Sequence, residues 1–499
     1  MFHVSGRRRV KREFIKDVSK YLPAQVAPAI AGLVFIPIIT RILTPYEYGN
    51  FTLVMATISF YATLETWLSS SVIRFYPAYE KRRELSMFYN NILKLTGLYV
   101  LVLAVLSTGL LLALKERIDP ALPPLLGIGL LIFALSTFYT VFVQFLRAKR
   151  LVNAFSLFKI WRVTMGIVIG LGLFYAFHTG VKGLFWGHAL CLFAALPILF
   201  RKGMGNVPIG GQPISMPFVK EIAWYGFPLV AANLCQWILS VSDRYVLGYF
   251  RGSGEVGIYS ASYRVSERSI MLIVSLFMLA AGPLAMSIWE REGEQKSREF
   301  LTTLTRLYLI FCVPILAMMT LLAVPIVDVL TGKEFRLGYR IVPFVTAGSF
   351  CLGMAQIYQS GLAYHKRTSP IMLSYIIACV VNVGLNLILI PHYGYMAAAA
   401  NTLISYMVLF ILVTVLSKRV FTWNFPFTTL IKVLPATILM SAVLLGIDAG
   451  LRVASFVKII VAMCAGGVVY MVSLLLLREF TSREIKSFLD MMTLRRRDR

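Results

Sequence analysis

"SDRYVLGYFRGSGEVGIYSASYRVSER" (242–268) sets seven charged side chains and four glycines between two long apolar stretches. Asp243 and Arg244 stand near its start, Arg251 and Glu255 at its centre, and Arg264, Glu267 and Arg268 near its end. A charged, glycine-broken seam in so greasy a chain reads as a turn between two membrane helices, with ionisable residues carried into the spans on either side. An earlier segment echoes it. Glu47, Gly49 and Phe51 of "YEYGNFTL" (46–53) match Glu255, Gly257 and Tyr259 of "GEVGIYSA" (254–261) at an offset of 208.

Two further pairs follow in the same order. "FLRAKR" (145–150) answers to "LAYHKR" (362–367) at an offset of 217, and "TGVKGLFWG" (179–187) to "YGYMAAAAN" (393–401) at 214. One such match is weak, but three at nearly constant offset and at equivalent junctions indicate an internal repeat.

The composition says what kind of unit is repeated. Of 499 residues, 58% are hydrophobic and 14% charged, and the mean hydropathy is +0.75. Soluble domains are roughly half apolar and about a quarter charged, so this chain belongs in a bilayer. A helix needs about 20 apolar residues to cross the hydrocarbon layer. Such runs fall at roughly 20–42, 48–73, 88–114, 121–146, 155–177 and 181–200, and again at 218–246, 255–286, 298–330, 338–363, 368–390, 394–416, 427–448 and 455–477. Alternating barrel-type strands are missing from the pattern, so helices must satisfy the backbone. The expected fold is an all-α polytopic membrane protein of about fourteen transmembrane helices.

Six spans separate the copies of the repeat, so both run the same way through the membrane. Two parallel six-helix lobes that rock around a central site are a transporter architecture. The expected organisation is a basic segment over 1–19, an N-lobe over 20–200, a Gly- and Pro-rich linker over 201–217 and a C-lobe over 218–416. Two extra C-terminal helices (427–477) and a basic tail (478–499) complete it.

The net charge of +26 is distributed as topology requires. Lys and Arg concentrate in 7–20, 74–83, 147–150, 201–202, 365–367, 418–419 and the tail, all on one side of a fourteen-span chain. That is the positive-inside pattern, with both termini cytoplasmic in a cell (inner or plasma) membrane. It leaves no excess to assign to nucleic acid. The basic N-terminus leads straight into a full-length span, unlike a cleavable signal peptide, and reads as an anchor at anionic headgroups. Six single cysteines and five scattered histidines suggest neither a disulfide framework nor a metal site, and no cofactor is implied.

"ITRILTPYEYGNFTLV" (39–54) with "VIRFYP" (72–77), and "SDRYVLGYFRGSGEVGIYSASYRV" (242–265), resemble the first and the seventh-to-eighth-span signatures of the polysaccharide transporters, the Wzx-type lipid-linked oligosaccharide flippases. These belong to the multidrug/oligosaccharidyl-lipid/polysaccharide superfamily with MATE exporters and MurJ-type lipid II flippases. On that pattern Arg41, Pro45, Tyr48 and Gly49 fall on the first signature. Asp243, Arg244, Tyr245, Gly257 and Tyr259 fall on the second. The resemblance implies a non-enzymatic flippase that moves an isoprenoid-diphosphate-linked oligosaccharide to the outer leaflet by alternating access. Its partners would be that lipid-linked glycan, membrane lipids, and a polymerase or glycosyltransferases of the same pathway.

Carrying such a head group needs a wet cleft with cationic and hydrogen-bonding walls, and each ionisable residue within a span is a candidate for one. Arg264 and Arg268 share a face four residues apart, with Glu267 beside them, and a guanidinium fork suits phosphate. The alternative for these three is an ion pair that stabilises one conformation. Glu65 lies deep in the second span and Arg74 at its end; Asp243 and Arg244 close the seventh. Lys94, Arg306 and Lys432 lie near span ends, where snorkelling to the interface suffices, and Lys159 and Arg162 read as the inner flank of the fifth span. Asn382 and Asn386, one turn apart, suit helix–helix hydrogen bonding. A MATE-like drug or cation antiporter is the rival reading, favoured by an acidic interior. A membrane glycosyltransferase or polymerase would need a large outer loop or a carboxylate–metal motif such as DxD.

Overall fold

The computed structural model describes residues 27, 30–32, 34–205, 213–451 and 453–480. The basic segment 1–19, the centre of the linker and the end of the basic tail lie outside the described residues. The secondary structure is helical: α1 (Ile30–Ile42), α2 (Pro45–Leu64), α3 (Thr66–Arg82), α4 (Leu85–Leu114), α5 (Leu122–Ala148), α6 (Val152–Phe177), α7 (Val181–Met204) and α8 (Met216–Arg251) come first. Then follow α9 (Ser253–Glu292), α10 (Glu294–Leu321), α11 (Ala323–Leu330), a 3₁₀ turn (Lys333–Ile341), α12 (Val342–Tyr364), α13 (Ser369–Lys418), α14 (Phe427–Gly450) and α15 (Ser455–Leu476).

Eleven helices among the described residues are long and apolar enough to cross a membrane. One of them, α13, is two helices joined at Gly394, whose φ of 58° no helix accommodates. With α1 and α9 added, a helix stands at each of the fourteen expected spans, and the chain is a multi-pass membrane protein. The second span departs from its expected form. It breaks at Glu65 into α2 and α3 and runs on to Arg82, beyond the apolar stretch. Its start is fixed locally: Thr44 accepts from Glu47 N while Glu47 accepts from Thr44 N at 3.0 Å, and Pro45 occupies the first turn.

Burial follows a lipid solvent. On α4 the side chains of Leu101, Val105, Leu106 and Leu110 are exposed, an apolar face that only hydrocarbon satisfies. The interior is comparatively polar and aromatic.

The chain forms two compact units that part after Ser260; residues 390–394 join the first. In the first unit α6 lies along α7, where the backbones of Gly170 and Gly187 meet without room for a Cβ on Gly187. The start of α8 is fastened to α3 and α4. Asn91 Oδ1 accepts from Ser215 N at 2.8 Å, Tyr79 donates to Glu221 at 2.8 Å, and Phe218 packs against Phe88. Repeat and packing therefore divide the chain differently: the repeat puts α8 with the second copy, and its contacts put it with the first unit.

The second unit carries a buried amide chain within α13. Asn401 donates to Asn386 and Asn386 to Asn382, each at 3.0 Å, and Asn382 donates to Ser405 at 3.2 Å. These bonds tie the helix before Gly394 to the one after it, the helix–helix role expected of Asn382 and Asn386. A second anchor was not expected. Glu479, just past α15, accepts from Arg306 Nε and from Thr429 Oγ1, each at 2.7 Å, and Lys432 Nζ lies 3.4 Å away. Arg306 and Lys432 thus turn inward to a carboxylate instead of snorkelling, and they clamp the end of α15 to α10 and α14.

Burial pushes the Glu479 pKa up, but hydrogen bonds from Thr429 and Arg306 and the charges of Arg306 and Lys432 outweigh it and leave it lowered. A depressed carboxyl pKa contributes stability that is full above the ordinary value of about 4.3 and is lost as pH falls through the lowered one. Glu479→Gln is expected to cost roughly 2 kcal/mol, less than a fully buried pair because both cations keep some solvent. Thermal melting in detergent at neutral and acidic pH checks this. The variant should melt lower at neutral pH and lose part of the acid sensitivity of the natural chain.

Candidate functional site

The seam at 242–268 is a helix–turn–helix in which α8 ends at Gly252 (φ 86°) and α9 starts one residue later. Its partner in space is the segment it echoes in sequence. A Cβ on Gly49 would strike the carbonyl of Ser253, and a Cβ on Gly257 would strike the carbonyl of Pro45. Adding the repeat offset of 208 to Pro45 and Gly49 gives Ser253 and Gly257, so the contact is reciprocal: each copy's glycine seats on the first residue of the other copy's helix. Both are x-xxx-Gly pairs, a spacing that lets helices cross at backbone distance. Ser253 Oγ donates to Asn50 Oδ1 at 2.6 Å within the crossing, and Gly394 abuts the exposed Arg251–Glu255 ion pair.

One turn below, Asp243 and Arg244 are 1% and 6% exposed. Arg244 Nη1 lies 3.3 Å from Asp243 Oδ1, Tyr259 donates its hydroxyl to Asp243 Oδ2, and the Arg244 guanidinium lies 5.7 Å over the Tyr259 ring. Three signature residues are therefore engaged with one another and lock α8 to α9. Tyr245, the fourth, is 2.9 Å from Thr57 Oγ1, and beside it Trp237 donates to Ser59 at 2.8 Å. This polar band holds α8 against α2.

The remaining candidates are dispersed. Arg264, Glu267 and Arg268 are half-buried on successive turns of α9. Glu65 is 2% exposed at the α2–α3 break, and its Oε1 has no hydrogen-bond partner among the described residues. Arg74 is exposed and lies 6.0 Å from the ring centre of Phe75, which with Pro217, Lys220, Glu221, Trp224 and Tyr225 lines a cavity of about 540 Å³. Arg41 is exposed, Pro45 is half-buried, and Tyr48 is buried one residue before Gly49, stacked on Phe51 at 6.1 Å. Pairwise sequence matches pointed to the two glycines. They did not show that the glycines meet, and nothing short of the equal spacing to Pro45 and Ser253 signalled it.

Chemically the arrangement offers a backbone-to-backbone seam, a buried carboxyl at a helix break, and guanidinium groups on one face of α9.

Replacing Gly257 with Ala is expected to cost about 1–3 kcal/mol or separate the two helix starts, because the obstructing atom is backbone and cannot rotate away. Gly97→Ala, at a position with open space around it, should leave melting unchanged or slightly raised. Comparing the two melting temperatures checks the crossing.

The sequence model for the family described as polysaccharide biosynthesis protein matches residues 14–289, more than half the chain, and that for MatE matches residues 228–388. An uncharacterised membrane protein of Methanocaldococcus jannaschii, MJ1068, is 21% identical over 432 residues, covering 80% of this chain and 83% of its own. A probable low-salt glycan biosynthesis flippase of Haloferax volcanii, Agl15, is 19% identical over 302 residues, or 60% of this chain and 64% of its own. Among solved structures, lipid II flippase MurJ in an inward closed conformation superposes with a TM-score of 0.73 at 16% identity, over 91% of this chain and 98% of that one. An inward-facing MATE multidrug resistance transporter gives 0.62 at 14% identity, over 80% and 94%. At these identities the structures establish a shared fold.

Proposed function

The chain belongs to the polysaccharide biosynthesis protein family, and on that premise we propose that it is a flippase for an isoprenoid-diphosphate-linked oligosaccharide, moving the head group from the cytoplasmic to the outer leaflet by alternating access. The observation that carries the reading is the character of the ionisable residues within the spans. Lys159, Arg162, Arg264 and Arg268 outnumber Glu65 and Glu267, and a cationic lining suits a diphosphate or an acidic glycan. The curated Haloferax relative and the MurJ neighbour bear flippase names, which supports the same direction.

In this reading the two repeats are six-helix lobes, the last two helices are an appendage, and both termini face the cytoplasm of a cell membrane. The Gly49–Gly257 crossing is the contact that parts and re-forms as the outer side opens. Arg264 and Arg268 receive phosphate, with Glu267 orienting them, while Glu65 serves as a polar contact or proton site. Asp243 and Arg244, occupied with each other, set the geometry of the seam and do not reach for substrate. Glycosyltransferases of the same pathway would supply the lipid-linked glycan and a polymerase would consume it. The chain itself performs no covalent step.

A MATE-like antiporter is the second reading, supported by the MatE match over residues 228–388. Its cationic substrates would meet the wrong sign of charge on α6 and α9, which is why the flippase reading stands first.

Head-group translocation in proteoliposomes tests this. Arg264→Ala and Arg268→Ala, if normally folded, should each slow transfer of a diphosphate-linked glycan at least tenfold; unchanged rates sink the clamp. Uptake of a cationic dye with no glycan-lipid transfer would replace the flippase reading with the antiporter.

A further inference from the structure

Four positions on α6, namely Phe155, Lys159, Arg162 and Gly166, are spaced four, three and four residues apart and so fall on one helical face. Two cations share the Phe155 ring: Lys159 Nζ is 5.2 Å from its centre, and the guanidinium of Arg147, at the end of α5, is 5.9 Å from it. One turn further along, Arg162 lies 5.7 Å over the ring of Tyr139 on α5. Against Gly166 sits His188 of α7, whose Nδ1 would come within 3.0 Å of a Cβ there and whose Nε2 is buried with no hydrogen-bond partner among the described residues.

The series is graded. Arg147 is exposed, whereas Lys159 and Arg162 are half-buried. At about 1.5 Å per residue, Lys159 lies roughly 10 Å and Arg162 roughly 15 Å along α6 from its start. Among the described residues no carboxylate pairs with Arg147, Lys159 or Arg162, and no hydrogen bond forms to the Arg162 guanidinium. Elsewhere the chain treats its cations differently: Arg244 has Asp243, and Arg306 and Lys432 have Glu479. Two like charges within one helix and a third beside them at the end of its neighbour are unfavourable unless something neutralises them. Aromatic faces offset only part of that, about 0.5–2 kcal/mol each. Simple snorkelling does not fit Arg162, whose guanidinium lies over the Tyr139 ring of α5.

We infer that Arg147, Lys159 and Arg162, with His188 at the inner end, form an anion track on the α5–α6–α7 face that takes the phosphate group of a lipid. The track lies within the first unit and is assembled from three consecutive helices. The cations provide successive contacts for a phosphate moving inward from the helix end, and the imidazole nitrogen supplies a hydrogen bond where the track stops. The shared chemistry is a lipid-borne phosphate, whether the diphosphate of a transported glycan carrier or an anionic phospholipid headgroup. Only the first source rests on the flippase reading.

The full chain in detergent micelles, with farnesyl diphosphate, farnesol and phosphatidylglycerol as probes, tests the site by native mass spectrometry. Arg162→Gln and Lys159→Gln should each weaken farnesyl diphosphate binding roughly tenfold or more, Arg162→Lys should recover part of it, and farnesol should be indifferent. Lys182→Gln, at an exposed position on α7, controls for a general loss of positive charge. If phosphatidylglycerol binding falls in parallel, the track holds membrane headgroups; if only farnesyl diphosphate is affected, it is built for the diphosphate. Monodisperse Arg162→Gln and Lys159→Gln proteins that bind both phosphate lipids as the natural chain does overturn the proposal. Loss of binding in a protein that fails to flip any glycan lipid leaves the track standing and removes the flippase reading instead.

Discussion

Two glycines that each occupy the space a Cβ would need are the constraint on which the arrangement of the first unit rests. Gly49 and Gly257 let the starts of α2 and α9 cross with backbone against backbone. In lipid there is little hydrophobic gain in pressing one apolar helix on another, so close packing and polar contacts must supply the association. The crossing provides the packing. The Ser253–Asn50 bond within it, the Asp243–Arg244–Tyr259 lock below it and the Thr57–Tyr245 and Ser59–Trp237 bonds provide the polar contacts. Because the crossing residues correspond through the repeat, one local geometry is used twice.

Charge is handled in two ways across the molecule. Structural cations are neutralised internally: Arg244 by Asp243, and Arg306 with Lys432 by Glu479. Arg147, Lys159 and Arg162 lie over aromatic faces, with no acid partner among the described residues. In a low-dielectric surround the first arrangement fixes a conformation, and the second leaves a potential that an anion can satisfy. Sorting these cations by partner separates those neutralised by a carboxylate from those that lie over aromatic rings. Their sequence positions alone do not separate them, since all stand in or beside apolar runs.

The helical pattern was legible because lipid demands it. Unbroken apolar runs of about twenty residues have few alternatives to a spanning helix, and a helix appears at each expected position. The amide pair Asn382–Asn386 was readable for a similar reason, since an amide at that depth must find another polar group. Other residues misled. Arg306 and Lys432 looked like snorkelling ends because their acid partner, Glu479, is distant in sequence and lies just past the last helix. The break at Glu65 carries no proline or glycine, and the continuation of α3 to Arg82 follows tertiary support from Tyr79, Phe88 and Glu221, absent from any local pattern.

What the sequence determined by itself was the membrane class, the order of the spanning helices and the family, because each depends on hydrophobicity and spacing along one dimension. Only the tertiary structure decided which equivalent residues meet, which charges cancel and which remain. Those outcomes depend on distances between helices brought together by packing, and an offset of 208 residues becomes a contact only when two backbones have room to touch.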